Sequence, residues 1–135
     1  MSALSAFLHP TVTREEKEVI ISKRFLGEDG KPTPFKIRSL TQEENAAIIR
    51  VSTKYKLVDG QIKESIDANE LSARTIVEAT VFPDFRSAEL CEAYGTKDPV
   101  QVPGKMLLAG EFGRLIDAVS KLSGFDKSLD EEAKN

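Results

Sequence analysis

The chain has 135 residues, 40% of them apolar and 30% charged, with a net charge of −3. That length suits one domain able to bury about two-thirds of its unfolded surface, and the mild, mixed charge excludes bulk attraction to nucleic acid or to an anionic membrane. One cysteine, Cys91, and one histidine, His9, exclude an internal disulfide and leave too few ligands for a zinc site.

Residues 1–18 read as a flexible segment or a short helix. Leu4, Phe7 and Leu8 stand at helical spacing before Pro10 and are the anchors if that helix docks. The same stretch lacks the basic start and the long apolar run of a signal peptide, and no run approaches a membrane span, so a soluble, unexported protein is expected. Val19–Phe25 and Phe35–Leu40 read as the strands of a hairpin. In the second strand Phe35 and Ile37 point one way and Lys36 and Arg38 the other. Gly27-Glu-Asp-Gly30 supplies the turn, with Asp-Gly suited to positive φ. Lys23, Arg24, Lys36 and Arg38 make a candidate basic strip; the alternative is a solvated strand face that discourages edge pairing.

Thr41-Gln-Glu-Glu44 is a capping-box sequence and predicts a helix to about Tyr55. Leu57–Ile62 reads as a polar turn region or a small loop hairpin. Asp67 caps a second helix, predicted through about Val81, with Leu71, Arg74, Val77 and Val81 near one stripe. Ser87–Tyr94 is a short helix ended by Gly95, and Asp98-Pro99 opens another that continues unevenly to Leu108. Phe112, Leu115, Ile116, Val119 and Leu122 form the clearest helical stripe, closed by Gly124 with Phe125 folding back. The tail over 127–135 is polar and expected to be disordered. The expected architecture is α+β: an N-terminal β-hairpin over 19–40 packed on a small, mainly α-helical domain over 41–124, all within one domain of residues 19–126.

No residue is assigned to catalysis or to a metal, and no cofactor is expected. His9 reads as a solvated tail residue and Cys91 as a small buried apolar side chain, so neither has a partner for nucleophilic chemistry. Gly104, Gly110 and Gly113 lack the lysine-serine or lysine-threonine ending of a phosphate loop.

Four segments carry a family likeness in a fixed order. They are Ser22–Glu44, Thr75-Ile-Val-Glu-Ala-Thr-Val-Phe-Pro-Asp84, Ala88-Glu-Leu-Cys-Glu-Ala-Tyr-Gly95 and Lys105–Asp126. Together they resemble the XkdN-like tail assembly chaperones of phages and phage-derived tail particles, over roughly Val19 to Asp126. The resemblance implies a non-enzymatic protein that binds the tape-measure protein, keeps it soluble and promotes assembly of tail tube protein around it. It implies action in the cytoplasm of the bacterial host and absence from mature particles. It also implies that a longer, frameshifted form of the protein can be a further partner. The alternative is a structural tail component, an adaptor or completion protein, retained in the particle.

A holding protein needs apolar faces with a polar rim. The stripe Phe112, Leu115, Ile116, Val119 and Leu122 is the first candidate surface; the alternative reading of it is the domain core. The N-terminal anchors Leu4, Phe7 and Leu8, and the hairpin with Lys36 and Arg38, are the next candidates. An exposed hairpin edge or an unfilled apolar groove would also permit homo-oligomers. Thr41, Glu44, Asp67 and Gly124 are assigned to structural caps.

Overall fold

The computed structural model describes residues 3–11 and 15–125. The polar tail over 127–135 lies outside them. In chain order the elements are α1 (Leu4–Leu8), β1 (Glu16–Val19), β2 (Phe35–Arg38), α2 (Gln42–Ser52), β3 (Thr53–Val58), β4 (Gln61–Ile66), α3 (Ala68–Ala79), β5 (Thr80–Phe82), α4 (Ala88–Ala93), a 3-10 turn (Pro99–Gln101), α5 (Val102–Met106) and α6 (Ala109–Leu122). The class is α+β, as expected.

The N-terminal hairpin exists, with its first strand displaced. β1 covers Glu16–Val19 rather than Val19–Phe25, and it pairs antiparallel with β2 from Glu16↔Arg38 to Val19↔Phe35. Residues 20–34 leave the ladder: Ile21 and Ser22 are buried in succession, which an alternating strand does not allow, and the Arg24 N–H turns back to the Ser22 hydroxyl at 3.0 Å. Within that excursion a tight turn closes on itself: the Gly30 N–H donates to the Gly27 carbonyl at 3.0 Å and the Gly27 N–H to the Lys31 carbonyl at 2.9 Å.

The sheet gains a third strand that the pattern did not announce. The helix expected to run to Val81 stops at Ala79, and Thr80–Phe82 pairs antiparallel with β2. β2 thereby becomes the central strand, and its Phe35 and Ile37 are buried against α3 and α6. Ile76, Val77, Phe85, Val102, Leu115 and Val119 complete that core.

A second correction concerns α2, which ends at Ser52 and not near Tyr55. The residues after it form a two-stranded hairpin, β3–β4, with an unbroken register from Thr53↔Ile66 to Val58↔Gln61. Its two-residue turn, Asp59 and Gly60, has positive φ at both positions, 52° and 77°. That is the turn whose twist matches two right-twisted strands, and Asp-Gly is a preferred sequence for it.

Helix ends follow local chemistry. The Thr41 hydroxyl accepts from the Glu44 N–H at 3.2 Å while Glu44 accepts from the Thr41 N–H at 3.0 Å. Asp67 accepts from the Glu70 N–H at 3.1 Å. α6 closes with Gly124 at φ 96°, the Phe125 N–H reaching the Ser120 carbonyl at 2.9 Å. Among the described residues, no atom beyond its chain neighbours lies within 4 Å of where a Cβ on Gly124 would stand, so only the local backbone opposes a side chain there. Gly124→Val should therefore cost on the order of 1 kcal/mol or more through the left-handed conformation alone. Urea melts of the two proteins measure this, and coincident midpoints would reject it.

Candidate protein-binding surfaces

α6 packs over β2 and α3, and the centre of its apolar stripe is interior. Leu115 is 0% and Val119 1% exposed, so these two are corrected from contact residues to core. Phe112, Ile116 and Leu122 flank them, half-buried against the same cluster. Phe112 lines a groove of about 680 Å³ between α3, the 3-10 turn and the start of α6. Ala73, Val100 and Leu107 supply its apolar wall; Asp67, Glu70, Asp98 and Arg74 supply polar groups. Ile116 reaches a smaller groove of about 300 Å³ with Leu40, Ile49 and Leu71.

The basic strip does not form. Arg38 keeps only 13% of its side chain exposed and ion-pairs with Glu44 at 3.0 Å and Glu78 at 2.8 Å. Glu78 is shared with Arg86 at 2.7 Å. Arg38 thus ties β2 to α2 and α3, a structural duty in place of the partner contact assigned to it. Lys36 remains half-exposed but pairs with Glu16 on β1 at 3.0 Å. Arg24 reaches across the fold to Glu111 in the first turn of α6. Its Nε donates to the carboxylate at 2.9 Å, and its Nη2 donates both to that carboxylate and to the Met106 carbonyl at 3.1 Å.

Glu111 is buried, 3% exposed, and also accepts from the Leu108 N–H at 2.8 Å. Burial alone would favour its neutral form. Hydrogen bonding from Arg24 outweighs burial, with help from Ser22 and the Leu108 N–H, and holds the carboxyl down to about 2. The pair fastens the loop after β1 to the helix start beside Phe112.

Apolar surface is concentrated elsewhere. α1 buries no residue, and Phe7 is 80% exposed with Leu4 and Leu8 also exposed. On β3–β4, directly paired residues share a face. Thr53, Tyr55, Leu57, Ile62, Glu64 and Ile66 therefore form one face, and Lys54, Lys56, Val58, Gln61, Lys63 and Ser65 form the other. Tyr55, Leu57, Ile62 and Ile66 are 51% to 75% exposed.

The sequence profile of phage XkdN-like tail assembly chaperone proteins matches residues 4–134. This chain belongs to that family. Two Bacillus subtilis (strain 168) proteins are similar to it over nearly their whole length. The uncharacterized protein YqbN is 40% identical over 131 residues, covering 93% of this chain and 87% of YqbN. The phage-like element PBSX protein XkdN is 37% identical over 130 residues, covering 93% of this chain and 88% of XkdN. A crystal structure of protein YqbN superposes with a TM-score of 0.78 at 34% identity, over 93% of this chain and 99% of that one.

In this XkdN-like chaperone the surfaces found by sequence reasoning and those found by structure overlap only in part. Leu4, Phe7 and Leu8 are exposed, so α1 forms without docking on the domain through them, while the last helix offers Phe112 and Ile116 at groove walls. The β3–β4 face was missed. Its signal was present: Tyr55 and Leu57 alternate with Lys54 and Lys56, and beyond the Asp-Gly turn Lys63 stands between Ile62 and Glu64. Among the described residues no group of three or more His, Cys, Asp or Glu side chains is placed to hold a metal ion, and no helix is long and apolar enough to cross a membrane.

Proposed function

We propose that this tail assembly chaperone holds the tape-measure protein soluble before the tube exists and brings tail tube subunits to it. It acts in the cytoplasm of the bacterial host and leaves before the particle matures. The observation that carries this reading is the groove beside α6, where Phe112, Ala73, Val100 and Leu107 offer an apolar wall among charged side chains. That is the arrangement by which a groove accepts the apolar stripe of an amphipathic helix, and a tape measure is a long helical chain that needs its stripe covered. The contact is holding, without covalent chemistry. Many moderate contacts suit a protein that must yield its place to tube subunits.

Coexpression with the cognate tape-measure protein tests it. The tape measure should stay soluble and copurify, and the complex should survive moderate salt because apolar burial drives it. Phe112→Glu should reduce recovery of the tape measure at least severalfold, whereas Lys36→Glu should change it little. A tape measure equally soluble without this protein and never copurifying with it would overturn the reading. Retention of the protein in purified particles would favour a tail component instead.

A further inference from the structure

We propose that the apolar face of the β3–β4 hairpin is a self-association surface, on which a second copy of this chain seats its own hairpin. A two-stranded hairpin alone is marginal in water. This one stands clear of the domain: every residue of β4 is exposed, and its connections to the body lie at its base. Its two faces differ in kind. One carries Tyr55, Leu57, Ile62 and Ile66, the other Lys54, Lys56 and Lys63. Lys54 reaches down to Glu70 of α3 at 2.9 Å, which places the helical body on the lysine side. The apolar face therefore looks away from the domain, with room for another sheet.

The composition of that face selects the occupant. Its only charge, Glu64, sits directly across from Tyr55. Two hairpins packed face to face about a two-fold axis along their strands place β3 of each over β4 of the other. Tyr55 of each copy then meets Glu64 of the other, and its hydroxyl can donate to that carboxylate. Leu57 meets Ile62 in the same arrangement. A client helix would have to bring its own donor for Glu64; a second copy supplies one twice by symmetry. Lys56 and Lys63 stay exposed on the far face of each hairpin, the side of its own helical body, and oppose further stacking. The four apolar side chains offer on the order of 500 Å² per copy against the roughly 800 Å² per partner of a standard interface, which sets the pairing in the weak, transient class.

Sedimentation velocity on the purified protein, from micromolar to submillimolar concentration, tests the proposal. The wild type should shift from monomer toward dimer across that range. Leu57→Glu should stay monomeric throughout, at an unchanged melting temperature because Leu57 is 72% exposed. Tyr55→Phe should weaken the dimer severalfold, and Lys56→Glu, on the opposite face, should leave it intact. A wild type that is monomeric at every concentration would overturn the proposal. So would a dimer that Leu57→Glu does not disturb. If the wild type is monomeric and Leu57→Glu instead lowers recovery of a coexpressed tape measure, the face belongs to the client, and the holding function stands without the pairing.

Discussion

Phe85→Ala should cost the domain about 3–5 kcal/mol, read as a fall in the urea midpoint at unchanged slope. Phe85 is 0% exposed and is the largest fully buried side chain among the described residues. It lies between β5 and α4, in a stretch with no helix or strand of its own. Cys91 on α4 packs over it, its Sγ 3.5 Å from the Phe85 carbonyl. A side chain held from several directions leaves a cavity that its neighbours cannot collapse to fill. A domain of this size has only about 5–15 kcal/mol of stability in total, so the loss removes roughly a fifth of it at the least. A loss below about 1 kcal/mol would mean that the site relaxes and that Phe85 is not central to the core.

Glu111→Gln should lower stability at neutral pH and flatten the acid limb of the stability profile. The Glu111 carboxyl has its folded pKa lowered from the ordinary 4.5 to about 2, first by hydrogen bonding to Arg24. A group depressed in this way stabilises the fold fully above the unfolded value. Its contribution is lost as pH falls from about 4.5 through about 2, where the folded carboxyl finally takes up its proton. Glutamine keeps the shape but cannot be ionised, so its Arg24 contact weakens and that pH-dependent part disappears. Thermal melts of both proteins between pH 7 and pH 2 measure the difference. Curves that run parallel throughout would show that the pair contributes nothing to acid sensitivity.

Neither Phe85 nor Glu111 stands out in the sequence, and the reason is the same for both. Their surroundings are made by segments far apart in the chain, whereas capping and periodicity act within a few residues. Thr41 with Glu44, Asp67 with Glu70 and Gly124 are local arrangements, and each was legible as a cap. The boundary of α3 was not. Thr80-Val-Phe82 continues a helical pattern acceptably, and only the neighbouring β2 turns it into a strand. The same holds for the last helix, whose stripe is clear while its burial depends on what lies opposite. For Arg38, a strand position facing away from Phe35 suggests solvent, but Glu44 of α2 and Glu78 of α3 enclose it. The β3–β4 hairpin differs, since its register is local and its turn sequence apt. It was obscured because Thr53–Tyr55 extends α2 without any helix-breaking residue.

The pairing of Arg24 with Glu111 spans 87 positions, and β2 joins residues before α2 to β5 beyond α3. The fold closes on contacts between its two ends. On the ribosome, the N-terminal third emerges with neither its third strand nor its anchoring carboxylate, and loops of this size must close before the contacts repay them. Nascent chains should therefore stay protease-sensitive until the segment bearing α6 is released, then become resistant together. A message truncated ahead of α6 would yield no partial chaperone, only a substrate for the cell's proteases.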